Sequence, residues 1–201
     1  TIEDEMSIAL DLIAKMPILM DGAYQAKRHK YDNASLIMHP LRPEENTAES
    51  ILSLIRNDRS YTKAEAQLLD TLLALHADHG GGNNSTFACR VATSSGTDPF
   101  AAYTSAVNSL KGPRHGGANI KVIQMLDDIK AHVAHWENEG EVADYLTKIL
   151  RKEANDGSGL IYGMGHAVYT LSDPRAVILK RKAMALAAGK EIEREFKLLD
   201  T

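Results

Sequence analysis

The chain has 201 residues, 44% of them apolar, with 23 Lys and Arg against 27 Asp and Glu for a net charge of −4. That apolar content can fill a core. Six Pro and fourteen Gly are too few for a disordered chain, and no excess of positive charge is present to hold a phosphate backbone, so nucleic-acid binding is disfavoured.

The first segment, Thr1 to Lys15, carries Glu3, Asp4, Glu5 and Asp11, so it does not read as a signal peptide. No apolar run reaches the roughly 18 residues of a membrane span, so no membrane partner is expected. The single Cys89 leaves no partner for an internal disulfide and suits a reducing compartment. The chain therefore reads as soluble and cytoplasmic. Its start at Thr1, without a Met, gives the expectation that an upstream piece is missing.

Helical spacing recurs along the whole chain, and no stretch alternates long enough to make a strand, so the fold class is all-α. Ile2, Met6, Ala9, Leu10, Ile13 and Met16 share one side of a first helix that Pro17 is expected to stop. Thr47 is placed to cap a helix through Ile51, Leu52, Leu54 and Ile55. Thr62-Lys-Ala-Glu65 is a capping box, followed by Ala66, Leu69, Leu72, Leu73 and His76 at helical spacing. A short helix then holds Cys89 among Phe87, Ala88 and Val91, where the thiol reads as a core group. Asp98-Pro99 sets an N-cap before a first-turn proline and opens a helix to Leu110 or Lys111. Two helices follow, about Ala118 to His135 and about Glu141 to Glu153, with Trp136 packing at a helix end. Asp173-Pro174 repeats the opening signal for a helix to Gly189. The total is about eight helices.

Glycine interrupts this pattern at His79-Gly-Gly-Gly-Asn83, at Gly112-Pro-Arg-His-Gly-Gly117, and from Gly157-Ser-Gly159 through Gly163-Met-Gly-His166. A histidine stands in each. Glycine lets a ligand approach the backbone, and imidazole donates or accepts a hydrogen bond near neutral pH. Three histidines on separate turns suggest one polar pocket assembled from distant parts of the chain. The Gly116-Gly117 pair is the best hinge candidate.

His115 precedes the helix that starts near Ala118. The positive end of that helix disfavours imidazolium, leaving a neutral ring able to donate to a developing enolate oxygen. A capping or packing role in a Gly-rich turn is the alternative. Arg175, nine positions after His166, carries a planar fork that matches a carboxylate, and an exposed first-turn arginine is its plainer reading.

Other chemistries find little support. His76 and His79 have metal-ligand spacing but no third ligand, so no metal is expected. His132 and His135 lie late in a helix and read as a solvated face. Gly163-Met-Gly165 lacks the strand and the third glycine of a dinucleotide fingerprint, no P-loop lysine follows a Gly-rich turn, and Ser94-Ser95 lacks a nucleophile-elbow context.

Leu75-His-Ala-Asp-His-Gly-Gly-Gly-Asn-Asn-Ser85, Lys111-Gly-Pro-Arg-His-Gly-Gly-Ala-Asn119 and Tyr162-Gly-Met-Gly-His-Ala-Val-Tyr169 with Ser172-Asp-Pro-Arg175 resemble, in order and spacing, the signature blocks of the citrate synthase family. The likeness runs from about Ala64 to Met184 and extends to 2-methylcitrate synthases. It implies an all-α, two-domain fold, a homodimer and a cleft active site. Residues 1–115 would be part of the large helical domain and 116–201 the small, CoA-binding domain. By the same resemblance, His115 looks like the histidine that stabilises the enol of acetyl-CoA, and His166 like the one that polarises the oxaloacetate carbonyl. His79, Asn83 and Arg175 look like oxaloacetate-binding residues. Leu160, Ile161, Gly163, Met164 and Gly165 resemble the loop that receives CoA. No permanently bound cofactor is implied, since acetyl-CoA is a substrate.

The resemblance also marks departures. The family's catalytic aspartate and further substrate-binding arginines belong to a segment that would follow Thr201, and none of Asp127, Asp128, Asp144, Asp156, Asp173 or Asp200 stands in that motif. These 201 residues alone are therefore expected not to turn over. Thr170 replaces a basic residue that some members direct at a CoA phosphate. Three readings remain open: citrate synthase, a 2-methylcitrate synthase using propionyl-CoA, and a non-catalytic binding subunit of the same family.

Overall fold

The computed structural model describes residues 1–77, 82–165 and 169–201. Among them are nine α-helices and no strand, so the chain is all-α. It divides into two compact units: Thr1–Asn83 with Arg90–Tyr103, and Asn84–Cys89 with Thr104–Thr201.

The first unit is built on α1 (Ile2–Tyr31), capped by Thr1, whose hydroxyl accepts from the Asp4 backbone N–H. Contrary to the sequence expectation, Pro17 does not stop this helix. Proline inside a helix removes one backbone hydrogen bond and typically costs about 3 kcal/mol. Here the ring is buried together with Asp21 and Gln25, at four-residue spacing on one face, and Gln25 Nε2 donates to Asp21 Oδ1 at 3.2 Å. Tertiary packing of that face overrides the local penalty.

Helix α1 packs on α2 (Thr47–Ile55), and α2 on α3 (Lys63–Ala77). Asn46, not Thr47, caps α2: its side-chain oxygen accepts from Glu49 N–H, and Glu49 returns a bond to the Asn46 N–H. The box read at Thr62 and Glu65 is formed, with Thr62 N–H to Glu65 Oε2 at 2.7 Å and Glu65 N–H to Thr62 Oγ1 at 3.2 Å. Glu65 also takes a bond from Arg56 at 2.8 Å, tying α3 to the end of α2.

Helices α4 (Asn84–Ser94) and α5 (Pro99–Ser109) follow. Cys89 is half-buried and α4 buries none of its residues, so the thiol is not the core group expected of it. Asp98 Oδ1 accepts from Ala101 N–H at 3.0 Å, the cap expected for α5.

The second unit centres on α6 (Ala118–His132) and α7 (Glu139–Leu150), which enclose Met125, Ile129, Val133, Val142, Tyr145 and Ile149. Trp136 packs against this cluster and donates to the Val133 carbonyl at 3.0 Å. His132 and His135 are exposed, as read, but α6 ends at His132, so His135 lies beyond the helix expected to hold it. Asp173 caps α8 (Pro174–Ala187). A further helix, α9 (Glu193–Asp200), was not expected. It has no side-chain cap, and Leu198 anchors it in the core.

Candidate active site

The second unit carries most of the candidate site. Residues 112–117 form a tight turn between α5 and α6. His115 N–H donates to the Gly112 carbonyl at 3.1 Å, and the His115 carbonyl accepts from Ala118 N–H at 3.1 Å, so the backbone of this residue leads directly into α6. Its side chain is exposed. The glycines that follow answer to crowding. A Cβ on Gly117 would stand 2.8 Å from the Pro113 carbonyl oxygen, and one on Gly116 3.0 Å from that of Leu110.

The loop from Asp156 to Gly165 returns to the same helix. Tyr162 hydroxyl donates to Asp156 Oδ2 at 2.6 Å, and Lys121 Nζ on the first turn of α6 reaches the same oxygen at 3.0 Å. Asp156 Oδ1 accepts from Ser158 N–H at 3.1 Å. Bonds from Ser158 and Tyr162, with Lys121 beside them, hold the Asp156 carboxyl far below the ordinary carboxylate range, and Asp156 in turn raises Lys121. The ammonium also lies over the Tyr162 ring, 5.7 Å from its centre. Farther along, Tyr162 N–H points at Met125 Sδ (3.3 Å), and Gly163, at φ +85°, leaves only 3.1 Å between its missing Cβ and Val122 Cγ2. The loop is thus seated on the first two turns of α6, the helix that the His115 turn opens.

Of the expected CoA-loop residues, Leu160, Gly163, Met164 and Gly165 are exposed and Ile161 is half-buried. Behind them, α6, α7, α9 and the loop itself enclose an apolar cavity of about 270 Å³, bordered by Val122, Met125, Leu146, Ile161 and Leu198 among others.

Arg175 sits in the first turn of α8, half-buried. Its guanidinium grips the capping carboxylate, with Nε to Asp173 Oδ1 at 3.0 Å and Nη2 to Oδ2 at 2.7 Å, so the cap that starts the helix also orients the fork. Asn83 is half-buried immediately before α4, at the end of a first-unit segment. His79 and His166 lie outside the described residues. His76 Nδ1 is 2.7 Å from the Leu72 carbonyl oxygen. Among the described residues no three His, Cys, Asp or Glu side chains gather as a metal site.

Comparison with known proteins reads the same segment. The sequence model described as citrate synthase, C-terminal domain, matches residues 2–201. The chain belongs to the citrate synthase family. A citrate synthase of Corynebacterium glutamicum is 35% identical over 175 residues, 86% of this chain and 37% of that protein. One from Synechocystis sp. is 36% identical over 88% of this chain and 40% of its own length, and one from Haloferax volcanii 35% identical over 93% and 45%. The chain thus spans about two-fifths of the curated citrate synthases it matches.

Within this citrate synthase family chain, sequence reading missed Lys121, Asp156 and Ser158, and gave Tyr162 no role. Lys121 and Asp156 are 35 positions apart, and no local pattern links them. The one available signal was Asp156-Gly-Ser158, a turn former directly before the glycine-rich loop.

Proposed function

We propose that this chain forms the substrate-binding part of a citrate synthase, which condenses acetyl-CoA with oxaloacetate and water to give citrate and CoA. The family match across residues 2–201 carries the proposal. In support, the turn bearing His115 and the loop from Leu160 to Gly165 belong to opposite ends of a segment organised by one helix, α6.

In this reading a carboxylate removes a methyl proton from acetyl-CoA. His115 donates to the enolic oxygen, and the carbon forms its bond to the oxaloacetate carbonyl carbon. His166 supports that carbonyl oxygen as it takes up charge and becomes the hydroxyl. His79, Asn83 and Arg175 hold oxaloacetate, and the backbone of Leu160, Ile161, Gly163, Met164 and Gly165 receives CoA. Water then hydrolyses the thioester. Asp156 and Asp173, which flank the CoA loop and Arg175 in sequence, are both committed, to Lys121 and Tyr162 and to Arg175. The proton-abstracting carboxylate is therefore assigned to neither. Residues 1–115 and 116–201 are assigned to the large and small domains, and the assembly to a homodimer.

The test is thiol release by the full-length gene product with oxaloacetate and either acetyl-CoA or propionyl-CoA. Citrate formation from acetyl-CoA is expected, with His115→Gln lowering kcat about 10²–10³-fold. Preference for propionyl-CoA would replace the citrate reading with the 2-methylcitrate one, a distinction that turns on a single methylene. Binding of both ligands without thiol release from either acyl-CoA would identify a binding subunit.

A further inference from the structure

We propose that Asp156, with Lys121 and Tyr162, is a positioning unit that sets the CoA-receiving loop on α6 and thereby fixes affinity for CoA without acting on oxaloacetate. The inference rests on the reading of Leu160 to Gly165 as the CoA loop.

Three observations converge on it. One carboxylate oxygen, Asp156 Oδ2, receives both the Tyr162 hydroxyl and the Lys121 ammonium, at 2.6 and 3.0 Å, joining a residue inside the loop to a residue on the helix. The other oxygen takes the Ser158 N–H at 3.1 Å, and Ser158 Oγ takes the Leu160 N–H at 3.2 Å, so the chain of bonds passes from the helix into the first residue of the candidate CoA segment. Beyond it, Gly163 is pressed against Val122 one residue after Lys121, which leaves little freedom for the loop to slide along α6. Exposed ion pairs are usually weak. This carboxylate, however, is three-tenths exposed and serves three donors from two elements, an arrangement whose consequence is geometric. A loop held at both its entry and its middle presents its backbone N–H and C=O groups in one register. A loop released from Asp156 must order itself when ligand arrives, and that ordering lowers affinity.

The unit makes no claim on the reacting atoms. Its residues position the loop, so the readouts are ligand affinity and loop protection. CoA and oxaloacetate are titrated separately into the full-length protein and into Asp156→Asn, Tyr162→Phe, Lys121→Met and Lys121→Arg variants, with amide hydrogen exchange followed over 157–165 and over α7. Asp156→Asn is expected to weaken CoA about tenfold, and Tyr162→Phe and Lys121→Met about threefold, with oxaloacetate unchanged. Lys121→Arg, which keeps the charge, is expected to stay within about twofold of the parent. Exchange should quicken in the loop and not in α7. The inference is overturned if Asp156→Asn loosens the loop yet leaves CoA affinity unaltered. It is equally overturned if every variant weakens both ligands and exposes α7, the signature of general unfolding. Failure of the parent protein to bind CoA at all would remove the underlying reading of the loop, and the inference with it. Binding of CoA without turnover leaves this inference supported by its own arms and counts only against the reaction.

Discussion

Position 117 has no room for a side chain. The 2.8 Å from an added Cβ to the Pro113 carbonyl oxygen is a contact with backbone, which cannot rotate away as a flexible side chain would. Gly117→Ala should therefore open the 112–117 turn. We expect a loss of about 1–3 kcal/mol in urea unfolding of this unit, together with a displaced His115, read as a kcat that falls further than stability alone explains. Unchanged stability and kcat would refute the steric argument. The sequence reveals that something special happens at Gly116-Gly117. It suggests a hinge, because glycine's freedom is a property of the residue alone. The crowding belongs to the fold, since it arises only when the carbonyls of Leu110 and Pro113 are turned inward. The same limit explains Asp156. As a residue type it is one acid among many, and its three donors are assembled by a loop closing back onto α6.

Helix starts were the most legible elements, because a cap is a local device that needs only four residues. The Thr62–Glu65 box, Asp98 before Pro99 and Asp173 before Pro174 all form as written. Helix ends and exceptions were less legible. Pro17 is a strong local stop signal, and the buried face of Pro17, Asp21 and Gln25 overrules it. Helix α9 carries no cap and owes its place to Leu198 in a core contributed by α6 and α7. Glu65 makes the element scale measurable. Arg56 and the Thr62 N–H and hydroxyl pull its carboxyl down to about 2 from the ordinary 4.5. Because the folded value lies below the unfolded one, the stabilisation is present above pH 4.5 and is lost as the pH falls towards 2. After allowance for solvent screening of a partly exposed pair, Glu65→Gln should cost about 1–2 kcal/mol at pH 7 and little at pH 2. Urea midpoints of parent and variant that converge on acidification would support this, and a gap that is constant with pH would exclude it.

At the scale of the whole molecule, several helices present large apolar groups to solvent. On α1, Met6, Leu10 and Ile13 follow the spacing of one helical stripe and stay exposed, Leu10 to 61%. On α4, Phe87 and Val91 stand one turn apart, Phe87 at 65%. Full burial of such a side chain is worth about 1.5–3 kcal/mol, and scattered exposed residues are common, but ordered stripes on helices of a family expected to dimerise call for a covering surface. Among the described residues no helix is long and apolar enough to cross a membrane. We therefore expect the 201-residue chain to self-associate. Sedimentation velocity across a hundredfold concentration range should show mass rising above the 22.0 kDa of one copy. Phe87→Lys combined with Val91→Lys should shift that equilibrium towards monomer by about tenfold or more if α4 lies in the interface, since two apolar side chains would otherwise be buried. The corresponding change at Leu10 tests α1 separately. Equal association in parent and both variants would mean that neither stripe is the contact. A parent that remains at one copy throughout would show that these faces tolerate water, and the homodimer proposal would then need another surface.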